Sequence, residues 1–138
     1  MTENSVTVVS SAFPYSYWSR NCLISLYVLA VLWGSLQVVF PDNGSVYLLF
    51  TLMFATCATL WARFDALARS KPILPVVQML YFLLWPLGSM IYLMARSGVR
   101  GFGIWLLHAF GIGATLVVVF NLTLFALHFG GLLDPRFY

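Results

Sequence analysis

The sequence predicts an all-α integral membrane protein, a small bundle of four membrane segments within a single membrane domain of residues 1–138. Hydrophobic residues make up 62% of the 138 residues and charged residues only 8%, whereas soluble domains carry about 25% charged residues. A soluble chain of this length could bury only about 70% of its extended surface. The remaining apolar surface must therefore face lipid, and the basic residues flank long apolar runs as they do around membrane helices.

The first half of the chain predicts an interfacial arm and a helical hairpin. Residues 1–21 form the arm, which carries four aromatic side chains close to Arg20, and such rings settle at headgroup depth. Segment one, residues 22–40, has no charge and is long enough to cross most of a ~30 Å hydrocarbon core. The run Pro41-Asp42-Asn43-Gly44-Ser45 is made of turn formers, so segment two, residues 46–62, must return antiparallel.

The third segment, residues 73–95, is interrupted by Trp85-Pro86-Leu87-Gly88 and allows two topologies. Lys and Arg near membrane ends stay on the cytoplasmic side. Five of the seven basic residues lie there if the segment spans, and six if it bends and returns. Its length favours spanning, and a bend at membrane depth frees backbone groups that must find partners. We expect a kinked spanning helix, with a re-entrant segment as the alternative.

Segment four covers residues 102–129, and residues 130–138 form a C-terminal tail. Both topologies of the third segment keep the N-terminus and the loop of residues 63–72 in the cytoplasm. We therefore expect a multi-pass protein of a bacterial inner membrane with a cytoplasmic N-terminus.

A short pattern of charged, proline and aromatic residues lies around the third segment, at Asp65, Arg69, Lys71, Trp85-Pro86-Leu87-Gly88, Tyr92-Leu93 and Arg96. This pattern resembles the second helix of the membrane hairpin that precedes the catalytic domains of cardiolipin synthases of the phospholipase D type. The resemblance covers residues 65–96 and implies a helix that crosses the membrane. The HxKxxxxD catalytic motif of that family is absent from the sequence, so the resemblance implies no lipid chemistry.

His108 is the candidate cofactor ligand. A neutral imidazole can ligate haem iron or the magnesium of a chlorophyll-type pigment, and small residues near His108 would let a flat macrocycle approach. His128 lies about 30 Å away along the same helix and cannot share a metal with it. The alternative is a histidine that only makes hydrogen bonds. The sequence requires no cofactor and contains no metal-ligand cluster and no GxSxG, GxGxxG or Walker motif, so we expect no enzymatic activity.

Small residues spaced by four predict close helix packing. They occur at Ala30 and Gly34, and at Ala109, Gly111 and Gly113. Such packing serves either this bundle or contacts with other subunits.

Basic residues in two short loops predict contact with anionic phospholipid headgroups, or serve only to orient the chain. They are Arg63, Arg69, Lys71, Arg96 and Arg100. Each cation near an anionic leaflet contributes about 1 kcal/mol. Nucleic acid is not expected as a partner, because the basic residues flank apolar runs instead of forming a patch.

Three functional hypotheses follow from these observations. The first is an accessory or scaffolding subunit of a larger membrane complex, of the respiratory or photosynthetic type, with other integral membrane subunits as partners. The second is a stand-alone membrane protein that binds phospholipid through its basic loops. The third is haem or chlorophyll-type pigment binding through His108.

Overall fold

The computed structural model describes residues 12–132, and over that range the chain is all-helical. The helices are α1 (Ala12–Val39), α2 (Gly44–Ala68), α3 (Pro75–Leu83), α4 (Leu87–Ser97) and α5 (Val99–Phe129). Three of them, α1, α2 and α5, are long and apolar enough to cross a membrane. The predicted all-helical fold is confirmed for the described residues, and the three long apolar helices are consistent with a multi-pass membrane protein. The expected four membrane segments are not confirmed. The first eleven residues of the predicted arm and residues 133–138 of the predicted tail lie outside the described range.

The turn between α1 and α2 is closed by an asparagine cap. Asp42 adopts a left-handed conformation with φ 63°, which the short polar side chain tolerates. The Asn43 carboxamide oxygen then accepts hydrogen bonds from the backbone N–H groups of Ser45 (3.1 Å) and Val46 (3.2 Å). Two of the N–H groups that a helix start leaves unpaired are thereby satisfied, and α2 returns antiparallel to α1.

The main buried cluster lies between α1 and α2. Ala30 on α1 is 0% exposed and Phe54 on α2 is 1% exposed. Trp33 stacks on Phe50 with ring centroids 6.1 Å apart, and Trp85 stacks on Phe54 at 5.9 Å. Each stacked pair contributes about 0.5–1.5 kcal/mol beyond burial. Because Trp85 belongs to the turn between α3 and α4, this aromatic column ties that turn to the middle of α2.

The third segment does not cross the membrane as one helix. α3 and α4 contain 9 and 11 residues, about 14 and 16 Å, which is roughly half of a ~30 Å core. A Cβ added to Gly88 would lie 2.7 Å from the Cα of Tyr81, whereas residues seven apart along a straight helix are separated by about 10 Å. The expected spanning helix, and the crossing that the cardiolipin synthase resemblance implies, are therefore corrected to a hairpin of two short helices, the fold-back of the re-entrant alternative.

Two residues explain why the chain reverses at the predicted kink. Pro86 has no backbone N–H and cannot continue the hydrogen-bond ladder of α3. Gly88 has no side chain, and any Cβ there would collide with the backbone of Tyr81. Pro86 thus removes a hydrogen bond that would otherwise keep the helix straight. Gly88, two residues later, removes the steric barrier to the close approach of the two helices.

The reversal gathers the described basic residues at one end of the bundle, which we call the basic end. Arg96 at the end of α4 lies 2.8 Å from Asp65 near the end of α2. Trp18 packs on Phe64 with centroids 6.2 Å apart, which places the start of α1 there as well. α5 begins directly after Gly98, whose φ of 58° permits the sharp turn from α4. The basic residues of this end are Arg20, Arg63, Arg69, Lys71, Arg96 and Arg100.

α5 runs parallel to α1 and leaves a space beside α2. Tyr27 of α1 meets His108 of α5, and Ser35 meets Thr123 further along. Over the described residues α5 packs on α1 and α4, whereas no Cα atom of α5 lies within 8 Å of a Cα atom of α2. The four elements α1, α2, the hairpin of α3 and α4, and α5 therefore surround an interior space in the half of the bundle nearer the basic end.

Candidate functional site

Asp65 binds three side chains at the basic end. Its Oδ2 atom accepts hydrogen bonds from the Tyr92 hydroxyl (2.6 Å) and from Nη1 of Arg96 (2.8 Å), and Nε of Arg69 lies 3.3 Å away. The Asp65 side chain is only 14% exposed. Because hydrogen bonds to a charged group are stronger than neutral ones, this cluster fastens the returning arm of the hairpin to α2.

Tyr92 is held as a hydrogen-bond donor in this cluster. Burial, and then its hydrogen bond to the Asp65 carboxylate, raise the pKa of the Tyr92 hydroxyl well above its ordinary value. The hydroxyl is therefore protonated at neutral pH and donates to Asp65. Trp61 packs edge-on against the Tyr92 ring at 5.7 Å, so a hydrogen bond and a ring contact together hold Tyr92 in place.

Three predicted lipid-contact residues remain exposed at the basic end without a described counter-ion. Arg63, Lys71 and Arg100 are exposed, and the structure describes no carboxylate at this end except Asp65, which already holds Arg69 and Arg96. Within residues 12–132 this end carries six cations against one carboxylate, a balance of about +5. Such an end attracts anionic groups.

His108 pairs with a residue that the sequence did not single out. The Tyr27 hydroxyl on α1 lies 3.0 Å from Nδ1 of His108. Within the described part of the chain, no group of three His, Cys, Asp or Glu residues could hold a metal ion. Haem or pigment binding through His108 stays a prediction that these contacts do not test.

A cavity of about 330 Å³ lies beside His108 in the space between α2 and α5. Its lining is almost entirely apolar, with Leu26 from α1, Ala58 from α2 and Ile112 from α5. A polar contact spans it from the hairpin to α5, where Nε1 of Trp105 donates to Oγ of Ser89 at 3.1 Å. The volume of this cavity falls at the lower end of the range for ligand pockets.

The predicted small residues divide between bundle packing and this cavity. Ala30 is buried between α1 and α2, and a Cβ added to Gly34 would lie 3.0 Å from the carbonyl oxygen of Leu116. A Cβ added to Gly111 would likewise lie 2.8 Å from the Tyr27 hydroxyl oxygen. Packing within the bundle therefore accounts for these positions.

The other two small residues, Ala109 and Gly113, line the cavity. A Cβ added to Gly113 would meet nothing within 4 Å. This position is therefore open to the space between the helices and contributes to no described helix–helix contact.

Comparisons with known proteins identify no relative. No family model, curated protein or solved structure matches the sequence.

Sequence reasoning missed the role of Asp65, although a signal was present. Tyr92 and Arg96 are four residues apart and so lie on one face of a helix, which indicates a common partner. Asp65 is an isolated acid in a basic stretch and was the natural candidate. The contacts Tyr27–His108 and Ser89–Trp105 had no comparable signal, because they depend on which helices become neighbours.

Proposed function

We propose that this chain is a membrane protein that binds anionic phospholipid headgroups at its basic end. One observation carries the proposal: the hairpin returns Arg96 and Arg100 to the end that already holds Arg63, Arg69 and Lys71, where the described carboxylate is occupied. Anionic headgroups would complete the charge balance of the three exposed cations. The clustering of positive charge at one end favours the cytoplasmic leaflet, and this supports a cytoplasmic N-terminus in a bacterial inner membrane as part of the proposal.

The expected strength follows from the number of exposed cations. At about 1 kcal/mol each, Arg63, Lys71 and Arg100 together contribute about 3 kcal/mol toward an anionic lipid, or a factor of about 100 in affinity. Aromatic residues at the start of α1 support a position of the basic end at headgroup depth. Trp18 and Tyr17 pack edge to face beside Arg20, and such rings settle among headgroups.

The test compares lipids on the purified protein in mild detergent. Phosphatidylglycerol should raise the midpoint of thermal unfolding and remain bound in native mass spectrometry, whereas phosphatidylcholine should do neither. Arg63→Gln, Lys71→Gln and Arg100→Gln in one chain should remove this preference. The matched control, Arg63→Lys, Lys71→Arg and Arg100→Lys, keeps the charges and should keep the preference. An anionic preference that survives in the glutamine variant would overturn the proposal and leave these residues as topology signals only.

A second candidate function, an accessory subunit of a larger membrane complex, is favoured by Asn121. This residue is exposed on α5, and its Nδ2 donates to the carbonyl oxygen of Val117 at 2.7 Å. Its carboxamide oxygen has no partner within the described chain, and a polar group facing lipid is unfavourable. A helix from another integral membrane subunit would satisfy it.

Copurification tests this second candidate. The tagged protein, at native abundance in mild detergent, should retain a stoichiometric membrane subunit that mass spectrometry identifies. Asn121→Leu should release the subunit, whereas Val118→Leu, an equally apolar change at an exposed position of the same helix, should retain it. Recovery of the protein with phospholipid alone would exclude the accessory role and favour the lipid-binding function.

A further inference from the structure

The cavity between α1, α2, α4 and α5 is lined by none of the basic residues of the basic end. It lies beside a gap where the backbones of α2 and α5 stay apart, with no pair of Cα atoms within 8 Å. Its volume of about 330 Å³ is large for a packing defect, since close-packed interiors contain few voids larger than a water molecule. Water is a poor occupant, because an ordered water needs two to four polar partners and the lining is almost entirely apolar.

The two polar contacts at the cavity differ in what they leave open. The Ser89 hydroxyl donates to the carbonyl oxygen of Pro86 at 2.6 Å and accepts from Nε1 of Trp105, so its single donor is already used. The Tyr27 hydroxyl binds only Nδ1 of His108. Because an imidazole nitrogen is a better acceptor than a phenol oxygen, this contact favours the tautomer in which Tyr27 donates and Nε2 carries the ring proton. His108 therefore offers one N–H donor without a described partner.

We propose that this cavity binds one lipid-soluble quinone, with a carbonyl oxygen of its ring accepting the hydrogen bond from Nε2 of His108. The donor on His108 selects a ligand with an acceptor oxygen. Three indoles line the cavity, those of Trp61, Trp85 and Trp105, and they offer flat surfaces for a flat ring. An apolar tail can leave through the gap between α2 and α5 into lipid. The site is independent of the lipid-binding function proposed for the basic end.

Tryptophan fluorescence provides a direct measurement, because quinones quench indoles at short range. Decylubiquinone titrated into the full-length protein in mild detergent should produce a saturable quench. Gly113→Leu should abolish the saturable part, because Gly113 lines the cavity and a Cβ there meets no atom within 4 Å, so a larger side chain has room to enter the cavity. Gly103→Leu is the matched control, since a Cβ at Gly103 also meets nothing within 4 Å but does not line the cavity, and it should bind as the native chain does.

The hydrogen bond is tested separately at His108. His108→Phe should weaken binding about tenfold, the effect of one lost hydrogen bond, and His108→Gln, which keeps an N–H donor, should bind within about threefold of the native chain. If His108→Phe does not fold, the glutamine variant and the two glycine variants still decide. A quench that is unsaturable, or equal in Gly113→Leu and Gly103→Leu, overturns the proposal. So does displacement of the probe by equimolar decylbenzene, which has the same tail and no carbonyl.

Discussion

Replacing Asp65 by asparagine should release the hairpin from α2. The Asp65 carboxylate accepts from Tyr92 at 2.6 Å and from Arg96 at 2.8 Å while only 14% exposed. Asparagine keeps an acceptor for Tyr92 but removes the counter-ion of Arg96. Breaking a buried ion pair from one side costs about 3–5 kcal/mol, and partial exposure of Arg96 favours the lower figure. We expect Asp65→Asn to lower the free energy of unfolding by about 3 kcal/mol.

Thermal unfolding followed by circular dichroism in one mild detergent measures this loss. Arg69→Gln is the control, because Arg69 is 45% exposed and four residues from Asp65 on the same helix, where such pairs contribute about 0.3–0.5 kcal/mol. The double variant Asp65→Asn with Arg96→Gln should be less destabilised than the sum of the single variants, since the two side chains share one interaction. The reasoning fails if Asp65→Asn costs no more than Arg69→Gln, or if the double variant is additive.

Three further predictions concern the fold. The first uses single cysteines introduced into a chain whose native cysteines are replaced. Ser70→Cys and Val99→Cys should react with an impermeant maleimide from the same side of the membrane, and Ser45→Cys should react from the other side. If Val99→Cys is labelled from the same side as Ser45→Cys, the third segment spans the membrane after all. Gly88→Val should lose about 1–3 kcal/mol of stability because α3 and α4 must separate, and an unchanged thermal midpoint would contradict the close approach. Asn43→Ala should lose about 1 kcal/mol at the start of α2, whereas Asn43→Asp keeps the capping oxygen and should lose little.

Composition and turn chemistry were sufficient to predict the three long helices. Apolar run length identified them, and the breakers around Asp42 identified the antiparallel hairpin. Their ends were predicted less well. α2 continues to Ala68 instead of ending at residue 62, because no helix breaker precedes Ser70, and charged residues at a membrane surface are compatible with a continuing helix. α1 likewise begins at Ala12, so residues 12–21 of the expected arm are the first turns of the helix.

The third segment could not be decided from local sequence. Pro86 and Gly88 allow either a kink or a reversal, and segment length alone favoured the kink. The deciding contacts are remote in sequence: Arg96 with Asp65, and Trp85 with Phe54. The charge count did carry the right signal, because it sums the preferences of all basic residues for one side of the membrane. The resemblance to the cardiolipin synthase helix instead predicted a helix that crosses the membrane.

The candidate sites also include features that the sequence predicted and features that it could not predict. The basic residues were predictable because membrane-flanking charge is visible in the sequence, and the hairpin brings those of both loops together. The partner of His108 was not predictable, because Tyr27 lies 81 residues earlier and meets it only through the parallel packing of α1 and α5. The cavity was not predictable either. It exists because α5 packs on α1 and α4, while no Cα atom of α5 lies within 8 Å of one in α2.

The physical objection to a re-entrant segment is that its turn exposes backbone polar groups where no water can reach them. Here the turn satisfies several of them itself. The N–H of Gly88 donates to the carbonyl oxygen of Leu84 at 3.0 Å, and the Ser89 hydroxyl donates to that of Pro86 at 2.6 Å. Trp105 of α5 then donates to Ser89, so the neighbouring span holds the turn in place. The reversal thus gains the Asp65–Arg96 pair at the basic end without leaving these groups at its tip unpaired, and this combination makes two half-length helices a stable alternative to one kinked span.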